Sequence, residues 1–159
     1  LQFYDRDRVT SLTGLDPSAE LLDYTRREAS ERGFAMEICD GIGEAMPFAD
    51  ARFDTVLTTF TLCSVQDGKR VLSEMRRVLK PGGKILFLEH GRAPDKGPET
   101  WQRRIEPAWK HIAGGCHLHR PVTRLFEAEG FALADTRGHY APKTPRWLGW
   151  MEAGEARPL

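Results

Sequence analysis

No apolar run in these 159 residues approaches the roughly 20 needed to cross a bilayer as a helix. Cysteine is scarce: Cys39, Cys63 and Cys116 are an odd number, and no two stand in CxxC spacing. That excludes a disulfide framework, and a reducing cytoplasm is the expected compartment. Charge of one sign is missing as well. Lys and Arg number 23, Asp and Glu also 23, so no bulk field recruits nucleic acid or an acidic membrane. Repeats and low-complexity tracts are absent. What is present is a chain 40% hydrophobic and long enough to build a substantial core, which predicts one domain over 1–159.

The most informative stretch is 53–90. Phe53 to Phe60 is apolar or β-branched at most positions, as a strand covered on both faces requires. Val71, Leu72, Met75, Val78 and Leu79 then fall at i, i+1, i+4, i+7 and i+8 and form one apolar stripe of a helix. Lys69, Arg70, Glu74, Arg76, Arg77 and Lys80 take its other face. Lys80-Pro81-Gly82-Gly83 predicts the helix stop, and Lys84 to His90 a second buried strand. Strand, helix and strand with a tight return make a right-handed βαβ unit and a parallel sheet.

Upstream, Val9 to Leu15 reads as a strand ending at Asp16. Pro17-Ser18 opens a helix capped by Asp16 or Ser18, with Leu21, Leu22, Thr25 and Ala29 on its inner face and Gly33 as its stop. Phe34 to Cys39 is the next strand, followed by a loop at Asp40-Gly41-Ile42-Gly43. Downstream, Trp101, Ile105, Trp109 and Ile112 predict a helix over 100–112, kinked at Pro107. Pro121 reads as the first residue of a further helix closed by Gly130. Phe131 to His139 and Trp147 to Glu155 read as two strands. The expected architecture is α/β, a doubly wound, mostly parallel sheet with an antiparallel C-terminal hairpin.

Four motifs in this order resemble the class I S-adenosylmethionine (SAM)-dependent methyltransferases. They are Gly14-Leu15-Asp16-Pro17-Ser18, Gly43-Glu44-Ala45-Met46-Pro47-Phe48, Phe53-Asp54-Thr55-Val56 and Val78-Leu79-Lys80-Pro81-Gly82-Gly83. Thr61-Leu62-Cys63-Ser64-Val65, Leu88-Glu89-His90, Glu106-Pro107-Ala108-Trp109 and Gly114-Gly115-Cys116-His117-Leu118 are similar to a narrower group. That group holds the thiol methyltransferase-like proteins and bacterial relatives labelled phosphatidylethanolamine N-methyltransferases. The resemblance implies a Rossmann-like sheet whose first strand and GxGxG loop precede Leu1, with Leu1-Gln2-Phe3-Tyr4 resembling the helix after that loop. The expectation is an N-terminally truncated methyltransferase. In the family's sheet, the missing strand would lie between the strand ending at Asp16 and the strand at 54–60.

The same resemblance implies a cofactor, SAM, and a set of contacts. Asp16 and Pro17 would meet the ribose, since a carboxylate at a strand end can accept from both hydroxyls, although Asp16 also suits a helix cap. Ile42-Gly43-Glu44 stands where the family often has Asp-Ala-Glu. Ile42 cannot bind the adenine amino group, which leaves the Gly43 backbone and Asp40, with Glu44 steadying the loop. Thr59 and Phe60 end the central strand at the sheet's carboxyl edge and would line the methionine end or simply pack as core. On that edge Cys63 would face the acceptor and His90 would take its proton, or His90 would be a satisfied core histidine. Trp101 and Trp109, in a helical insert at about 97–120, would cover the substrate or pack on the sheet. Cys116-His117-x-His119 is too crowded for one tetrahedral metal site, and no metal is expected.

Methyl transfer by direct displacement to a small, fairly apolar thiol or amine needs positioning and desolvation rather than a charged triad. Two rivals stand beside it. A hydride-transferring Rossmann enzyme suits Asp16 but not the Pro-Gly-Gly return or the antiparallel tail. A catalytically impaired fragment serving as a binding or assembly module suits the missing loop. Pairing of two chains through an open sheet edge, and weak peripheral membrane contact through the Trp-rich insert, complete the expected partners beside the small-molecule acceptor.

Overall fold

Ser18 shows how the first elements are set. Its hydroxyl accepts the Leu21 N–H at 3.3 Å and its own N–H donates to Asp16 Oδ1 at 2.8 Å, so strand becomes helix within two residues. The computed structural model describes residues 4–5 and 7–159 and shows two compact units, Leu1–Pro47 and Phe48–Leu159. The helix expected at Leu1-Gln2-Phe3-Tyr4 lies mostly outside the described residues.

The first unit is a βαβ of β1 (Leu12–Asp16), α1 (Ala19–Glu31) and β2 (Met36–Asp40). The two strands are parallel, in register from Leu12 opposite Met36 to Asp16 opposite Asp40. α1 buries Leu22 and Ala29, two turns apart on one face. Leu21, expected on that face, is instead 53% exposed, because it lies about 100° round the helix from Leu22. Gly33, at φ +65°, ends the helix as expected.

The second unit holds β3 (Phe53–Thr59), α2 (Gly68–Val78), β4 (Leu79–His90), α3 (Lys96–Ile112), α4 (Val122–Ala128), β5 (Phe131–Tyr140) and β6 (Trp150–Pro158). Its sheet runs β3-β4-β6-β5, with β3 and β4 parallel and both pairings of β6 antiparallel. This is the doubly wound pattern with its antiparallel C-terminal hairpin. Among the described residues β1 and β3 belong to different sheets. Asp67 caps α2 by accepting the N–H groups of Lys69 and Arg70, each at 3.1 Å. The predicted stripe follows: Val71, Leu72, Met75 and Val78 are all buried. Each such side chain contributes about 1.5–3 kcal/mol by leaving water. Phe126 of α4 packs between Phe87 of β4, with ring centroids 4.7 Å apart, and Phe131 of β5, at 5.6 Å.

Several boundaries differ from the sequence reading, β1 and β2 among them, which begin at Leu12 and Met36 rather than at Val9 and Phe34. α2 stops at Val78, and Lys80-Pro81-Gly82-Gly83 is a bulge within β4. Leu79 already pairs with Phe53, and the register then jumps to Lys84 opposite Thr55. Gly82, at φ +80°, supplies the left-handed residue that the bulge needs. α3 begins at Lys96, a turn before Thr100, and continues through Pro107. Pro121 is the cap before α4, not its first residue. β6 begins at Trp150, because 145–149 is taken by a turn in which the Leu148 and Gly149 N–H groups donate to the Pro145 carbonyl.

Candidate functional site

In the first unit, the sites expected to hold SAM gather at the carboxyl ends of two parallel strands. Asp16 and Asp40 are directly opposite one another, and the Gly41 N–H donates to the Asp16 carbonyl at 3.3 Å. Asp16 is half-buried and spends one carboxylate oxygen on Ser18. Its other oxygen is unpaired among the described residues and remains available to a hydroxyl. Pro17 is exposed beside it. A Cβ on Gly41 would come within 2.9 Å of Leu15 Cδ1, so a larger residue there would push the end of that side chain aside. Gly43 and Glu44 follow in a turn closed by Ala45 N–H to the Ile42 carbonyl, and the Ile42 side chain is 49% exposed. A free carboxylate oxygen next to an exposed apolar side chain fits a ribose and an apolar ring face, so these residues suit the adenosine half of SAM.

In the second unit the site is built from the strand alternation of β4. Gly83, Ile85, Phe87 and Glu89 all face inward, which places a carboxylate in the core. Glu89 is fully buried. It accepts from Thr58 Oγ1 at 2.9 Å, Thr61 N–H at 3.1 Å and Cys63 N–H at 3.3 Å. Burial raises its pKa above the ordinary carboxylate value, and these donors oppose the rise. The turn carrying Cys63 is thus tied to the end of β4. Arg120 holds the same turn from the other side, donating to the carbonyls of Leu62 and Val65. Phe60, at φ +53°, leads into it, with its N–H on the Leu88 carbonyl at 3.0 Å. A non-glycine residue in that region is strained, and here it turns the chain out of β3.

His90 ends β4. Its ring meets Phe60 edge-on at 5.4 Å, and its Nδ1 lies 3.6 Å from Cys116 Sγ. Cys116 arrives from the turn after α3, which packs closely on the Cys63 turn. His117 N–H donates to the Cys63 carbonyl at 2.7 Å, and a Cβ on Gly115 would lie 3.0 Å from the Ser64 carbonyl. The ligand atoms of Cys63, His90 and Cys116 all lie within 4.8 Å of one another. The hydrogen bond between Cys63 and Cys116, together with burial, pushes the Cys63 thiol well up, whereas the same bond brings the Cys116 thiol down to about 7. Trp109 packs on this group with Ile105, Trp147 and Leu148.

Two buried polar side chains fix α3 here. Gln102 donates to the Gly91 carbonyl at 3.1 Å and accepts from Ala93 N–H at 2.9 Å. Glu106 bonds His117 Nδ1 at 2.9 Å, His119 N–H at 3.2 Å and the His119 ring. Burial alone would raise its carboxyl, but the donors from His117 and His119 hold it below the ordinary value. His117 and His119 are therefore partners of Glu106. Thr59 is exposed at the end of β3. Trp101 is 54% exposed, with the Arg104 guanidinium 5.8 Å from its ring centre.

Of the residues singled out beforehand, Phe60, Cys63, His90 and Trp109 gather in this unit, whereas Trp101 stands apart on the outer face of α3. Glu89, Glu106 and the partnership of Cys116 with Cys63 went unrecognised. For Glu89 the signal was available, since period-two alternation puts it on the face of Ile85 and Phe87.

Each unit winds a helix between parallel strands and gathers polar residues at the strands' carboxyl ends, as Rossmann-like α/β folds do. Solved structures agree on the fold. A SAM-dependent methyltransferase of Methanosarcina mazei matches 94% of this chain and 82% of its own, with a TM-score of 0.73 at 20% identity. The [4+2]-cyclase SpnF matches 96% of this chain and 68% of its own, with a TM-score of 0.72 at 19% identity.

The methyltransferase domain family matches residues 2–87, and the chain belongs to it. SAM is the cofactor that goes with this family. Among curated proteins, the thiol S-methyltransferase TMT1B of Rattus norvegicus is 38% identical over 141 residues, which is 86% of this chain and 57% of that protein. TMT1B of Homo sapiens is 36% identical over the same shares. This chain therefore spans little more than half the length of these relatives.

Proposed function

We propose that the protein methylates the sulfur of a small, fairly apolar thiol. The likeness to thiol S-methyltransferases across 86% of this chain carries the reading. SAM supplies the methyl group, held on a sulfonium that is displaced as a neutral thioether. Asp16 would hold the ribose through its free oxygen, while Ile42 and the Gly43 backbone would face the adenine. Phe60 and Thr59, exposed at the end of β3, would form the wall near the methionine end. The acceptor S–H would lose its proton to a nitrogen of His90, and the thiolate would attack. Trp109 with Ile105 would keep water from this edge. Removing water from a thiolate raises its reactivity, which suits a site with few charged side chains.

Incubation with SAM and small alkyl thiols, followed by mass spectrometry of the products, tests this. S-methyl thioethers should form, and His90→Gln should slow their formation by about 10²-fold or more, the contribution typical of a positioned base. Faster methylation of primary amines than of thiols would overturn the reading.

A further inference from the structure

Two cysteines and a histidine, brought by three separate elements, meet under Trp109 with their ligand atoms facing one another. Cys63 comes from the turn after β3, His90 from the last position of β4, and Cys116 from the turn after α3. A tetrahedral zinc ion has Zn–S bonds of about 2.3 Å and Zn–N bonds of about 2.0–2.1 Å, which sets sulfur and nitrogen about 3.6 Å apart. Cys116 Sγ and His90 Nδ1 are 3.6 Å apart. The Cys63 turn is also steadied from behind, as metal ligands usually are. Glu89 accepts the Cys63 N–H, and His117 N–H donates to the Cys63 carbonyl. The buried indole N–H of Trp109, which packs on this group, has no hydrogen-bond partner among the described residues.

We propose that Cys63, His90 and Cys116 form a zinc site with one open corner. Sulfur and imidazole ligands select zinc over magnesium or calcium, and three protein ligands leave a fourth position of the kind found in sites that act on a substrate. Resting on the thiol-acceptor reading, that corner takes the acceptor's sulfur. The S–H bond breaks and its proton goes to water, a zinc–sulfur bond forms, and a zinc–water bond is lost. With zinc bound, His90 would be a ligand and no longer the base assigned to it above, and the metal would lower the thiol's pKa in its place.

The test is cobalt substitution in the full chain under reductant, with all three thiols counted as free. Cobalt should bind one to one, with tetrahedral d–d bands and a sulfur-to-cobalt charge-transfer band. Cys63→Ser and Cys116→Ser should each weaken binding by at least about tenfold, whereas Cys39→Ser should not. Adding a small alkyl thiol should strengthen the charge-transfer band. Absence of tetrahedral bands with thiols free, or equal bands in Cys116→Ser, would overturn the site. Tetrahedral bands that no thiol changes would overturn its acceptor role and leave the metal in place, so the two readings fail separately.

Discussion

Glu89 and Glu106 organise the second unit's site through their backbone and histidine partners, and both can be tested singly. Replacing Glu89 by Ala strands the N–H groups of Thr61 and Cys63 and the Thr58 hydroxyl in the core. We expect a loss of roughly 3–5 kcal/mol in urea unfolding, because each stranded buried donor costs about 1–3 kcal/mol. Glu89→Gln, which keeps one acceptor oxygen, should lose roughly 1–3 kcal/mol. A change under about 0.5 kcal/mol for Glu89→Ala would show that the Cys63 turn does not depend on it. Glu106 gives a pH prediction. Its folded pKa is depressed by His117 and His119, so its contribution is present above the unfolded value and is lost as pH falls through the folded one. The stability gap between the native chain and Glu106→Gln should therefore narrow at acid pH. A gap that widens on acidification would contradict the assignment.

Elements were legible where period decides and illegible where tertiary pairing does. The stripe of α2 was readable because Val71, Leu72, Met75 and Val78 repeat at helical spacing on a strongly polar background. Leu72→Ala should accordingly cost roughly 2–5 kcal/mol, measured as a drop in urea midpoint with unchanged slope. Pro-Gly-Gly reads locally as a helix stop and tight return, because glycine and proline punctuate chains. Pairing of Leu79 with Phe53 instead draws it into β4 as a bulge, which no local signal announces. α3 starts a turn early, at Lys96, with Asp95 at its cap position but its carboxylate held by Tyr140 and Arg146. Cys116 was read with its neighbours His117 and His119, a local pattern that makes no metal site. Its partners Cys63 and His90 lie 53 and 26 residues away in the chain, and only the meeting of three elements puts them together.

For the molecule as a whole, parallel βαβ units and an antiparallel hairpin followed from the sequence because each depends on hydrophobic period and turn chemistry. The first unit's strand-end carboxylates were equally legible, since Asp16 precedes a helix cap. SpnF illustrates that the fold alone does not fix a reaction. Cofactor binding by this chain's own residues is therefore the central point. Calorimetric titration with SAM measures it most directly, beside Asp16→Ala. We expect saturable binding by the native chain, weakened about 10–100-fold in Asp16→Ala, as loss of hydrogen bonds to a charged group of about 1.5–3 kcal/mol implies. Equal affinity in the two proteins, or no heat of binding in the native chain, would contradict the ribose assignment and the methyl-transfer reading built on it.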